Sequence, residues 1–138
     1  MPTFLVLDEK KVFPFESIIN TGCGRTILSY DKAVLAGLDF KHLRVDEAEG
    51  IGGCTKIYEL KGNIRIGLLD EEVGGKTRKV HVESLGGVYF FGKEQECNPS
   101  LLGWDVLSRF ELSFNVMHND ISFKRLKVKP FDHKVLEF

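Results

Sequence analysis

The sequence predicts a mostly-β domain with one or two short helices, and three observations carry that expectation. Short runs rich in valine, isoleucine, phenylalanine and threonine recur along the chain, each bounded by glycine, proline, asparagine or aspartate. Helix signals are confined to two brief stretches. The 138 residues, 43% hydrophobic and 28% charged, suffice for one packed core and contain no linker-like or low-complexity segment.

Residues 3–7 and 12–19 are apolar runs on either side of the polar turn Asp8-Glu9-Lys10-Lys11, the pattern of a hairpin. A further short strand is expected over residues 25–28. Ser29 can then cap a helix that starts near Tyr30, carries Asp31 in its first turn and stops at Gly37. Two hairpins should follow. The first joins residues 43–49 and 54–60 through Gly50-Ile51-Gly52-Gly53, the second joins 64–69 and 76–84 through Val73-Gly74-Gly75. Residues 88–91 suit a buried strand, 92–100 a loop around Pro99, and 105–110 one or two helical turns. A last hairpin joins 111–116 to 121–126 around His118-Asn119-Asp120. The domain is therefore expected over residues 1–126, with 127–138 as a tail or a dimer-contact arm.

A formal net charge of −1 gives no reason to expect nucleic acid or an anionic membrane as partner. The basic stretch Lys124, Arg125, Lys127 and Lys129 alternates with Leu126 and Val128, as a strand with its charges on the wet side does. Cys23, Cys54 and Cys97 cannot all pair within one chain, and none stands in a C-x-x-C, so neither a disulfide framework nor a zinc site is expected. No cationic-then-apolar leader opens the sequence, and no apolar run approaches the ~18 residues of a membrane span. A cytoplasmic, reduced setting is the expectation.

Three segments carry the chemistry. In Phe15-Glu16-Ser17-Ile18-Ile19-Asn20-Thr21-Gly22-Cys23-Gly24-Arg25-Thr26-Ile27-Leu28 an apolar strand meets a polar residue, then Thr-Gly and two small residues, then a second strand. Gly50-Ile51-Gly52-Gly53-Cys54-Thr55-Lys56-Ile57 is a glycine-rich hairpin end running into a strand. Leu101-Leu102-Gly103-Trp104-Asp105-Val106-Leu107, followed by Phe110, Leu112 and Phe114, joins two apolar residues and a glycine to a short helix and a closing strand. In this order they resemble the active-site loop, flap tip and second hallmark of the retropepsin-like, single-domain aspartic proteases. The resemblance covers residues 12–126 and implies a closed acid-protease barrel.

It also implies a mechanism and a partner. Two carboxylates within ~3 Å cannot both ionise, so they share a proton; the ionised one activates a water and the protonated one polarises the scissile carbonyl. No metal or cofactor is needed. With one such loop per chain, a complete site takes two chains about a two-fold axis, so a homodimer binding an extended polypeptide is implied. By resemblance, Thr21 supplies the hydroxyl that bonds across to the partner loop. Gly22 lets the backbone approach substrate, and the flap residues Gly50, Ile51, Gly52, Gly53 and Cys54 close over it.

Asn20 stands where the family has its catalytic aspartate. A carboxamide is nearly isosteric with the acid but cannot ionise or take a proton from water. Loss of a general base costs ~10²–10⁴ in rate, and here both members of the dyad are lost. The expectation is a retropepsin-type aspartic endopeptidase inactivated by Asn20; the alternative is a non-catalytic pseudoprotease domain for peptide binding or dimerisation. An unrelated small barrel, with Asn20 an ordinary turn residue, is the third reading. Gly24 replaces an aspartate that contacts substrate backbone in many retroviral relatives, which weakens that contact. Trp104 replaces a common arginine, so packing is expected where they have an ion pair. Nothing in the spacing brings His42, His81, His118 or His133 to Cys23, so Cys23 reads as a small residue behind the site and Asp105 as a carboxylate satisfying a loop.

Overall fold

The first hairpin forms as its alternation requires. In a computed structural model describing residues 2–7, 11–50, 53–71, 78–117, 120–126 and 133–137, strands β1 (Pro2–Leu7) and β2 (Lys11–Ile19) pair antiparallel, Phe4 facing Pro14. Thr3, Leu5 and Leu7 point inward, at the two-residue period of a strand with one wet face. Strand β3 (Ile27–Leu28) leads into helix α1 (Tyr30–Leu35). Ser29 takes the N-cap position, but its hydroxyl donates to the Asp31 carboxylate rather than capping a backbone N–H. Gly37 follows at φ +70°, the left-handed turn that ends helices most cheaply with glycine.

Strand β4 (Arg44–Gly50) pairs with β5 (Gly53–Glu71), and β5 pairs along its length with β6 (Arg78–Phe91). The sequence divides β5 into two strands, 54–60 and 64–69, and β6 likewise into 76–84 and 88–91. Each is instead one long strand. The pairing shifts register between Lys61 and Ile64, where Gly62 sits at φ +138°. An irregularity of this kind bends a strand without ending it, so the polar break read as a boundary is a corner of the sheet.

Strand β7 (Ser100–Leu102) and helix α2 (Trp104–Leu107) follow, then the hairpin β8 (Phe110–Asn115) and β9 (Asp120–Arg125). Helix α2 starts one residue before the expected stretch and ends at Leu107. Strand β10 (His133–Glu137) pairs antiparallel with β6, so the C-terminal segment read as a tail or arm contains a strand of the main sheet.

Strands β6, β3, β7, β2, β1 and β5 are neighbours in that order, and the β5–β6 pairing closes the ring. The result is a closed six-stranded barrel, with β4 and β10 added outside it and β8–β9 a separate two-stranded sheet. Closure leaves the core without edges. Leu5, Ile66, Leu68, Val88, Phe90 and Leu102 are fully buried there, and Val106 and Leu107 of α2 pack into the same cluster. Two contacts join polar groups inside: the Thr3 and Ser17 hydroxyls lie 2.6 Å apart, and buried Arg109 meets buried Glu83 at 3.2 Å.

No helix among the described residues is long and apolar enough to cross a membrane. The expected turns at Asp8-Glu9-Lys10, Val73-Gly74-Gly75 and His118-Asn119, together with Lys127, Val128 and Lys129, lie outside the described residues.

Candidate functional site

Strand β7 organises the site. It lies between β2 and β3, parallel to the first (Ile18 beside Leu101, Ile19 beside Leu102) and antiparallel to the second (Ile27 beside Leu101). Because β2 and β3 are split by β7, the connection through residues 20–26 has to arch over the end of the inserted strand. Main-chain bonds fix the arch: Asn20 N–H donates to the Leu102 carbonyl at 3.0 Å, and Trp104 N–H to the Cys23 carbonyl at 2.9 Å.

Side chains complete the attachment. Asn20 Oδ1 accepts from Gly22 N–H at 3.0 Å, which closes the loop on itself. The Trp104 indole N–H donates to the Thr21 carbonyl. Trp104 therefore bonds as well as packs, more than the sequence reading allowed. Asp105 receives Thr26 N–H on Oδ2 at 3.0 Å, and on Oδ1 the Thr26 hydroxyl at 2.6 Å and Val106 N–H at 2.9 Å. Its carboxylate is thus spent on the loop and the start of α2, as read. Gly103 passes so close beneath the arch that a Cβ there would lie 2.4 Å from the Arg25 backbone. Only glycine fits.

A cleft of about 660 Å³ opens over this platform. Asn20, Gly22, Cys23 and Gly24 line one side, Glu47, Ala48, Glu49 and Thr55 of the β4–β5 hairpin the other. Ile27, Phe91 and Leu101 contribute apolar wall, and the first two are buried. The combination of apolar walls and a few polar groups is that of a ligand site.

Charged side chains tie the two sides together. Arg25 Nη1 donates to Asp46 Oδ2 at 2.7 Å, and its guanidinium lies 4.9 Å from the centre of the Tyr89 ring. The Tyr89 hydroxyl in turn donates to Glu59 at 2.5 Å. Asp46 is held below the usual carboxylate range first by the Glu47 N–H it accepts and then by Arg25. The Tyr89 hydroxyl holds Glu59 below that range, while Tyr89 itself is pushed up by the same bond.

The structure brings Asn20, Gly22 and Gly24 into one cleft with the β4–β5 hairpin. Thr21 is exposed beside it, and a Cβ on Gly24 would meet open space. Of the flap residues, Gly50 and Gly53 pair at the ends of β4 and β5 and Cys54 is exposed, while Ile51 and Gly52 lie outside the described residues. None of Thr21, Gly53 and Cys54 is among the residues lining the cleft. Cys23, read as lying behind the site, lines it instead; its thiol donates to the Arg25 carbonyl at 2.9 Å. Sequence reasoning missed Thr26, Arg25 and Asp46, whose partners stand 79 and 21 residues away. Among the described residues no three His, Cys, Asp or Glu side chains are grouped to hold a metal ion. Comparison with protein-family models, curated proteins and solved structures finds no match to the chain.

Proposed function

We propose that the chain is a retropepsin-type aspartic-protease domain working as a homodimer, whose cleft takes an extended polypeptide and whose catalytic acid is replaced by Asn20. One observation carries the reading. The insertion of β7 joins two segments some 80 residues apart, Asn20 to Gly24 and Leu101 to Asp105, and Asn20, Gly22, Cys23, Gly24 and Leu101 share one cleft with Thr55 of the β4–β5 hairpin. These are the three segments on which the resemblance was founded, and local sequence gives no reason for them to meet. A closed barrel with two short helices agrees with it.

Asn20 sets what the domain does as it stands. Its Oδ1 accepts Gly22 N–H, a bond that a carboxylate oxygen makes equally well. The loop therefore needs no rearrangement to accept an acid, but without one there is no base for the attacking water. The domain binds and does not cut.

The test is Asn20→Asp, assayed on an unstructured polypeptide at acidic and neutral pH beside a hydroxyl-containing transition-state analogue. Cleavage blocked by the analogue, in a protein that sediments as a dimer, supports an endopeptidase site with its acid removed. Peptide binding by a dimer that stays silent after Asn20→Asp moves the conclusion to the alternative, a pseudoprotease. A monomer that neither binds nor cuts overturns both.

A further inference from the structure

The outer edge of β4 carries a contact that neither the barrel nor the active-site loop requires. Among the described residues β4 pairs with β5 on one side and with no strand on the other. Main-chain N–H and C=O groups of successive strand residues point alternately to the two sides, so an edge strand leaves every second residue's groups without a ladder partner. At Glu47 the N–H donates to Asp46 Oδ1 at 2.8 Å. The other oxygen of that carboxylate accepts from Arg25 at 2.7 Å. A side-chain oxygen on the Glu47 N–H places that group on the unpaired side, and alternation places Glu49's there too. Both residues line the cleft above Asn20 and Gly22.

We infer that Asp46, held by Arg25, is a built-in competitor for the Glu47 N–H against the extended polypeptide that the proposed cleft takes along the β4 edge. The inference rests on reading the cleft as a polypeptide site and adds how entry to it is controlled. The occupant is a main chain in extended form, because only that offers carbonyl and N–H groups at the two-residue period of Glu47 and Glu49. To pair with Glu47 the incoming carbonyl displaces a carboxylate, and a charge-assisted bond given up lowers affinity by about tenfold. Asp46 also guards the edge against indiscriminate strand pairing, a use of charge common on exposed edges.

The experiment titrates the full chain with a fluorescein-labelled ten-residue peptide of alternating leucine and serine, reading anisotropy and, by NMR, the exchange of the Glu47 and Glu49 amides. Asp46→Ala is expected to bind about tenfold tighter than the unaltered chain, with Asp46→Asn and Arg25→Met between them. In Asp46→Ala without peptide, Glu47 N–H exchanges faster, and peptide restores protection at Glu47 and Glu49. Equal affinity in all variants with both amides unmoved overturns the competitor and leaves the cleft reading standing. Weaker binding by Asp46→Ala also overturns it, since Asp46 is then a contact. Absence of binding in every variant removes the cleft reading and this inference together. Should Asp46→Ala fail to fold by circular dichroism, Asp46→Asn carries the same test.

Discussion

Residues 20–26 rest on buried Leu102 and Gly103 and are tied by main-chain bonds to β7 and α2. Among the described residues, the β4–β5 hairpin across the cleft is tied to them by a side-chain pair, half-exposed Arg25 with Asp46. Short, directional main-chain bonds in a closed space hold one geometry. Ion pairs between partly exposed side chains contribute little stability and yield to salt. The difference gives the site a fixed floor and a cover that can be released at small cost, which suits the polypeptide cleft proposed above.

The largest expected effect comes from breaking the floor. Gly103→Ala puts a methyl group 2.4 Å from the Arg25 backbone, so the arch or β7 must move. Overpacking of this kind against main chain is expected to cost about 3 kcal/mol or more in urea unfolding. A loss below about 1 kcal/mol would mean that the floor yields as readily as the cover, and the contrast would fail. An intermediate effect is expected for Trp104→Phe, which keeps the ring and loses the indole bond to the Thr21 carbonyl. The expected loss is about 1 kcal/mol. Because Trp104 is the only tryptophan, far-ultraviolet circular dichroism rather than fluorescence follows the unfolding. No loss at all would reduce the indole to a packing group.

The smallest effect belongs to the cover. Asp46 and Glu59 have folded-state pKa values below their ordinary ones. Groups shifted downward add stability that is present above the unfolded value of about 4 and is lost as pH falls through the folded one. Amide exchange between pH 6 and pH 3 should therefore show β4 losing protection while β7 keeps it. Protection lost first in β7 would reverse the assignment of floor and cover.

Much of this architecture is legible in short stretches. The alternation of β1 and β2, the β8–β9 pair, and helix α1 between Ser29 and Gly37 follow from patterns a few residues long. Asp105 is readable as a structural carboxylate because it opens a short helix. The continuity of β5 and β6 is not legible, since a bend at Gly62 and a true turn present the same polar, glycine-bearing interruption. Cys23, expected behind the site, is not legible for a related reason: the arch over β7 turns it toward the cleft.

What the sequence determined alone is local: which stretches favour extended backbone, where a helix can begin and end, and that the loop between two strands carries an amide rather than an acid at position 20. These depend on backbone propensities and on the chemistry of single side chains, which act over a few residues. The insertion of β7 between β2 and β3, and with it the demand for glycine at 103 and the meeting of Thr26 with Asp105, was decided only when the sheet closed. Strand pairing is made by main-chain groups that every residue carries alike, so the choice of partner rests on the burial of the whole core and leaves no mark in the residues that pair.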